Sequence, residues 1–218
     1  MRKSVIIPLV ALCLFAAIAC RQNRPIEAAR QASIAPIESP RSTHIDSPLL
    51  KKVIDSAIEQ TTQTVGYDPA YVKLDYPGGD VPLRTGVCAD VIVRSLRRAG
   101  VDLQKEIHED MKRNFAAYPK MWGLARPDSN IDHRRVPNLM TYFKRTGKAL
   151  EITADSKDYL PGDVVAWELD NGLLHIGIVS NVRPGGGERH AMVHNIGAGA
   201  RLEDVLFSWR IIGHYRYF

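Results

Sequence analysis

Apolar and polar positions change texture several times along the chain. An uncharged apolar run from Val5 to Ala19 follows Arg2 and Lys3, and residues 21–44, rich in Arg, Pro, Ser, Ala and Gln, lack any sustained period. From Ser47 the pattern becomes helical. Leu49, Leu50, Val53, Ile54, Ala57 and Ile58 share one face, with Ser47 as N-cap, Pro48 in the first turn and Gly66 beyond the end. Residues 66–86 carry Pro, Gly and Asp and read as an ordered loop. A second helix is predicted from Gly86 to Gly100, with Val87, Val91, Val93, Leu96 and Ala99 inward and Arg94, Arg97 and Arg98 outward. A third is predicted from Gln104 to Phe115 and a short fourth from Pro137 to Arg145. Between them, residues 116–137 form a long loop crowded with Tyr, Trp, Arg, Asp and His, whose aromatic content argues for function. The last third is β-rich. Asp163–Leu169 and Leu173–Ser180 flank Asp170-Asn171-Gly172, a strong hairpin signal, and further strands are predicted at 190–196 and from Trp209 to Tyr217. Helices first and an antiparallel sheet afterwards indicate an α+β domain over residues 46–218.

The 218 residues are 45% hydrophobic, 24% charged and 7% aromatic, values that exclude wholesale disorder and fibrous repeats. The basic n-region, short apolar stretch and small residues that follow describe an export signal over residues 1–19. Without Arg2 and Lys3 the formal charge falls from +5 to +3. No basic stripe with interleaved aromatics remains, so no nucleic-acid partner is expected. Ala17-Ile18-Ala19-Cys20 resembles the lipobox of bacterial lipoproteins, with Ala17 where leucine is usual. That resemblance implies lipidation of Cys20, residues 20–45 as a flexible tether, and a membrane-anchored protein of the bacterial cell envelope or periplasm.

Of three cysteines, Cys13 lies in the signal and Cys20 at its end, which leaves Cys88 alone in an oxidising compartment. Cys88 is placed at a helix start, where unpaired N–H groups lower a thiol pKa and can stabilise an oxyanion. His175 sits mid-strand in Leu174-His175-Ile176-Gly177-Ile178, and His194 in the next strand, in Met192-Val193-His194-Asn195. Adjacent strands would let His194 orient His175 while His175 accepts the thiol proton. Two other readings stay open. Cys88 can be a buried hydrophobe, or these residues can ligate zinc. Metal spacing is absent, and His108-Glu109-Asp110 lacks the second histidine of a metalloprotease helix. No metal or cofactor is expected.

This layout resembles the papain-like cell-wall peptidases of the NlpC type. The matching segments are Tyr76-Pro-Gly-Gly79 leading to Gly86-Val-Cys88, then Pro161-Gly-Asp-Val-Val165, His175-Ile-Gly-Ile-Val179 and Val193-His194. The chain is also similar to the bacterial domain-of-unknown-function 1287 family, through Gly86-Val-Cys-Ala-Asp90, His108-Glu-Asp-Met111, Asn130-Ile-Asp-His-Arg-Arg-Val-Pro-Asn138 and Val193-His-Asn-Ile-Gly197. The NlpC resemblance implies a papain-like fold and a thiol hydrolase, acting as a monomer, that cleaves an amide bond in peptidoglycan stem peptides. Cys88 would be the nucleophile, His175 the base and His194 its orienter. NlpC-type enzymes carry Asp before the nucleophile and Ser-Gly after it; this chain has Val87 and Ala89-Asp90. Tyr76 is the candidate oxyanion group. Asp90, Asp132, His133, Arg134 and Arg135 are candidates for substrate recognition, since guanidinium pairs bidentately with carboxylates. The alternative for that cluster is a salt-bridged loop scaffold. A second class of function, a non-catalytic envelope-binding module, would keep the same pocket without turnover.

Overall fold

The computed structural model describes residues 47–218. The expected export signal, the tether and Cys20 lie outside them. Helix α1 spans Pro48–Gln63, with Ser47 Oγ accepting the Leu50 N–H at its start. Two short strands, β1 (Gly66–Tyr67) and β2 (Thr85–Gly86), pair in parallel and close the loop that the sequence predicts there. They lead directly into helix α2 (Cys88–Arg97). Helix α3 covers Leu103–Asn114 and runs on into a 3₁₀ turn at Phe115–Ala117, and α4 covers Val136–Arg145 after a 3₁₀ turn at Asp132–Arg134.

The sheet contains β3 (Val164–Glu168), β4 (Leu174–Val179), β5 (Met192–Asn195), β6 (Ala200–Glu203) and β7 (Arg210–Tyr215), in the order β6-β5-β4-β3-β7. All its pairings are antiparallel. With the helices ahead of it, the domain is α+β as expected. Strand β6 has no counterpart in the sequence reading, because Ala-Arg-Leu-Glu is short and only half apolar. The β3–β4 hairpin turns at Gly172, whose φ of +79° suits a residue without Cβ.

Strand alternation gives the sheet two different faces. Val164, Ala166, Ile176, Ile178 and Val193 pack with Val91, Ile92 and Leu96 of α2 in the main core. Val165, Trp167, Val179 and Met192 form a second cluster with Tyr159 and Leu206 on the other face. Helix α2 is buried on almost every side, including Arg94, which the sequence reading placed in solvent. Arg94 donates through Nε to Asp80 Oδ2 at 2.8 Å and through Nη2 to the carbonyls of Val81 and Thr85. One guanidinium therefore satisfies the carbonyls of the loop that delivers the chain to Cys88. Amphipathic spacing alone could not reveal this, since a buried arginine requires acceptors from sequence-distant loops.

Candidate functional site

Cys88 is the first residue of α2 and only 5% exposed. Its position follows from a break in the sheet. Strand β4 begins at Leu174, but its ladder with β5 begins only at the pair Gly177–His194. Ser180 N–H donates to Ala191 across this pair, so by the two-residue period the Ile176 N–H also points to the β5 side, where the ladder has ended. That N–H, with the N–H groups of Cys88 and Ala89 at the helix start, favours the Cys88 thiolate. Asn195 lies at the break. At the end of β5 its Nδ2 donates to Gly86 O at 3.0 Å and Gly66 O at 3.2 Å, which ties β5 to the two strands just before the cysteine.

His175 is therefore the residue immediately before the one whose N–H meets the thiol. Its side chain leaves β4 on the Trp167 face and stacks on that indole, with centroids 5.7 Å apart. Its Nε2 lies 2.9 Å from His194 Nδ1, and His194 Nε2 lies 2.9 Å from Glu203 Oε2 on β6. Trp209 abuts both imidazoles edge-on, at 5.9 and 6.1 Å. Gly177 makes the pairing possible: a Cβ there would come within 3.1 Å of both His194 Cβ and the Trp167 ring. Glu203 was missed because it lies on the unforeseen β6; its polar position two residues before Val205 carries no local signal.

Burial sets the resting charges. It pushes the Cys88 thiol up to about 11, opposed by the Ile176 N–H, and so outweighs the lowering expected of a helix start. The same cause lowers His175 to about 3, with His194 adding to the effect. His194 is also lowered by burial, while Glu203 works the other way. The resting pair is neutral thiol and neutral imidazole.

Cys88 opens on a cavity of about 370 Å³ lined by Tyr67, Met121, Trp122, Arg135 and Leu174 among others. Met121 and Trp122 belong to the long aromatic loop. Arg135 lies over the Trp122 ring, 4.1 Å from its centroid, and its Nη1 has no hydrogen-bond partner among the described residues. Its only ion-pair contact among the described residues is 3.6 Å to Asp132 Oδ1. Arg135 is thus the available cation of the pocket.

The other predicted recognition residues are placed differently. Arg134 lines the same cavity but is committed to the fold. Its Nε lies 2.9 Å from Asp90 Oδ1, its Nη2 donates to Asp90 Oδ2 and Asp68 O, and its Nη1 donates to Ala70 O. Asp90 in turn accepts the Val87 N–H at 2.7 Å, fixing the turn before the cysteine. These two residues form the scaffold alternative, not a free recognition pair. His133 is buried away from the cavity lining, and burial lowers it to about 4. Asp132 is buried too, accepts the Asp128 N–H and is raised to about 6. Tyr76, the expected oxyanion group, donates to Glu109 Oε1 at 2.8 Å, packs edge-on to His108 and does not line the cavity. The tyrosine beside Cys88 is Tyr67, whose hydroxyl is pushed up to about 12 by burial and by the neighbouring Cys88 and Asp90. Among the described residues, no three of His, Cys, Asp and Glu are grouped to hold a metal ion.

A family model, Domain of unknown function (DUF1287), matches residues 54–217, the whole of the helices and sheet beyond the first turns of α1. The chain belongs to this family. It is also 54% identical over 186 residues to "Uncharacterized protein YijF" of Escherichia coli (strain K12), which covers 84% of this chain and 89% of that protein. Cys88, Asp90, Arg134, Arg135, His175, His194 and Glu203 all lie inside the family-matched range.

Proposed function

We propose that this protein is a thiol hydrolase of papain-like architecture that cleaves an amide bond in a peptide bearing a carboxylate. The observation that carries the reading is the placement of Cys88, first residue of α2, in the main core with Ile176 of β4 near the ladder break, one residue from a histidine whose Nε2 is held by another. On this reading thiol and imidazole exchange a proton at the start of β4, ahead of its ladder with β5. Cys88 Sγ attacks the carbonyl carbon as its proton passes to His175 Nδ1. The oxyanion forms beside the N–H groups of the helix start. Collapse expels the amine, which takes the proton from His175, and leaves a thioester. Water then attacks the thioester, giving one proton to His175, and the acid departs as the thiol is restored.

Arg135, stacked on Trp122 and held by Asp132 only at 3.6 Å with no hydrogen bond to Nη1 among the described residues, fits a substrate carboxylate. Together with the export signal and lipobox resemblance expected from the sequence, this favours peptidoglycan stem peptide as substrate. Digestion of purified sacculi, with the released fragments weighed by mass spectrometry, tests the reading. Wild type should release peptide, and Cys88→Ala and His175→Ala should not, while both retain the fold. Full release by Cys88→Ala would refute it.

One observation favours a second reading. The thiol is neutral and nearly closed off at rest, as suits a binding module that keeps the pocket without turnover. Stem-peptide binding without any cleavage would establish that reading.

A further inference from the structure

Glu203 stands at the end of a chain of hydrogen bonds that begins at His175. A carboxylate accepts and cannot donate, so the 2.9 Å contact requires a proton on His194 Nε2. In a neutral imidazole the other nitrogen is then an acceptor, so His194 Nδ1 must accept from His175 Nε2, 2.9 Å away. His175 Nδ1 is left with its lone pair. A carboxylate two hydrogen bonds away thus decides which nitrogen of His175 is basic.

From this geometry we infer that Glu203 is a positioning residue for the reaction, acting through His194 to hold His175 as the Nε2–H tautomer with Nδ1 as the base. The inference rests on the thiol-hydrolase reading for its consequence, but the tautomer itself can be measured independently. The surroundings support the assignment. Arg201, which faces His194 across the β5–β6 pair, turns its guanidinium to Ala198 O and leaves Glu203 to the imidazole. The Glu203 side chain is 48% exposed on the edge strand, whereas His194 is fully buried. Its replacement therefore removes a hydrogen bond and opens no cavity.

The test uses the full chain with ¹⁵N-labelled histidine, the imidazoles being assigned with His175→Gln and His194→Gln. At neutral pH the wild type should show Nε2–H for both His175 and His194. Glu203→Leu should lose the fixed tautomer at both. Glu203→Gln, whose amide oxygen still accepts the His194 proton, should keep it. A second readout is the rate at which iodoacetamide alkylates Cys88. It should fall at least about tenfold in Glu203→Leu and stay near wild type in Glu203→Gln, because base catalysis needs the correct lone pair. Nδ1–H on wild-type His175, or tautomers and alkylation rate unchanged in Glu203→Leu, overturns the inference. Tautomers that follow Glu203 while His175→Ala alkylates as fast as wild type would uphold the relay and defeat the hydrolase reading instead.

Discussion

Replacing Arg134 by methionine tests whether the Asp90–Arg134 pair is the keystone beneath Cys88. The guanidinium makes three contacts of 3.3 Å or less with Asp90 and donates to the carbonyls of Asp68 and Ala70 at 3.0 Å. Both side chains are at least 97% buried, 2% of Arg134 and 3% of Asp90 being exposed. Methionine preserves much of the stem volume but leaves a buried carboxylate whose remaining bond is the Val87 N–H. Removing one partner of such a pair costs about 3–5 kcal/mol. At about 2–4 °C per kcal/mol for a domain of this size, the melting temperature should fall by roughly 6–20 °C. Urea denaturation gives the free energy directly. The double variant Asp90→Ala/Arg134→Met should cost less than the sum of the two single changes by more than about 1 kcal/mol, since it leaves no unpaired charge. A loss below about 1 kcal/mol in Arg134→Met, or strict additivity, would show that solvent reaches the site and that the pair does not organise the turn before Cys88.

Asp132 gives a pH-dependent counterpart. Burial raises it to about 6, so the stability it contributes is present below the ordinary carboxyl value of 3.8 and lost as pH rises through about 6. Asp132→Asn should match wild type near pH 4 and exceed it by about 2 kcal/mol at pH 8; parallel melting curves at both pH values would refute the assignment. Cys88 should react with iodoacetamide more slowly at pH 8 than a free thiol, and faster as pH climbs toward about 11, a profile followed by mass spectrometry. Arg135→Met should raise KM about tenfold or more for a carboxylate-bearing peptide and leave kcat near wild type, because the contact binds substrate away from the reacting carbonyl. Equal loss in kcat would place Arg135 at the reaction centre.

Local pattern was enough for much of the fold. The apolar spacing after Ser47-Pro48 and the Asn-Gly hairpin at 171–172 are short-range signals, and the elements appear where that chemistry puts them. The site was legible in part. Cys88 at a helix start and histidines on neighbouring strands follow from spacing. Strand β6 did not show, because four residues with one large apolar side chain cannot outweigh a turn-rich neighbourhood, and with β6 went Glu203. The arginines were mis-sorted for a related reason. Three of them, Arg94, Arg134 and Arg135, look alike as sequence, yet two are absorbed by carbonyls and carboxylates from distant loops, while Arg135 keeps a nitrogen with no hydrogen-bond partner among the described residues.

The sequence by itself determined the helices, the β3–β4 hairpin and which side chains carry reactive groups, since these depend on neighbours within a few positions. Tertiary structure alone decided their state. At the β4–β5 break beside Cys88, Asn195 reaches Gly66 and Gly86, more than a hundred residues away. Burial, a property of the assembled core, then reverses the charge expected of a thiol at a helix start and keeps His175 neutral. Desolvation depends on everything packed around a group, and no local spacing encodes it.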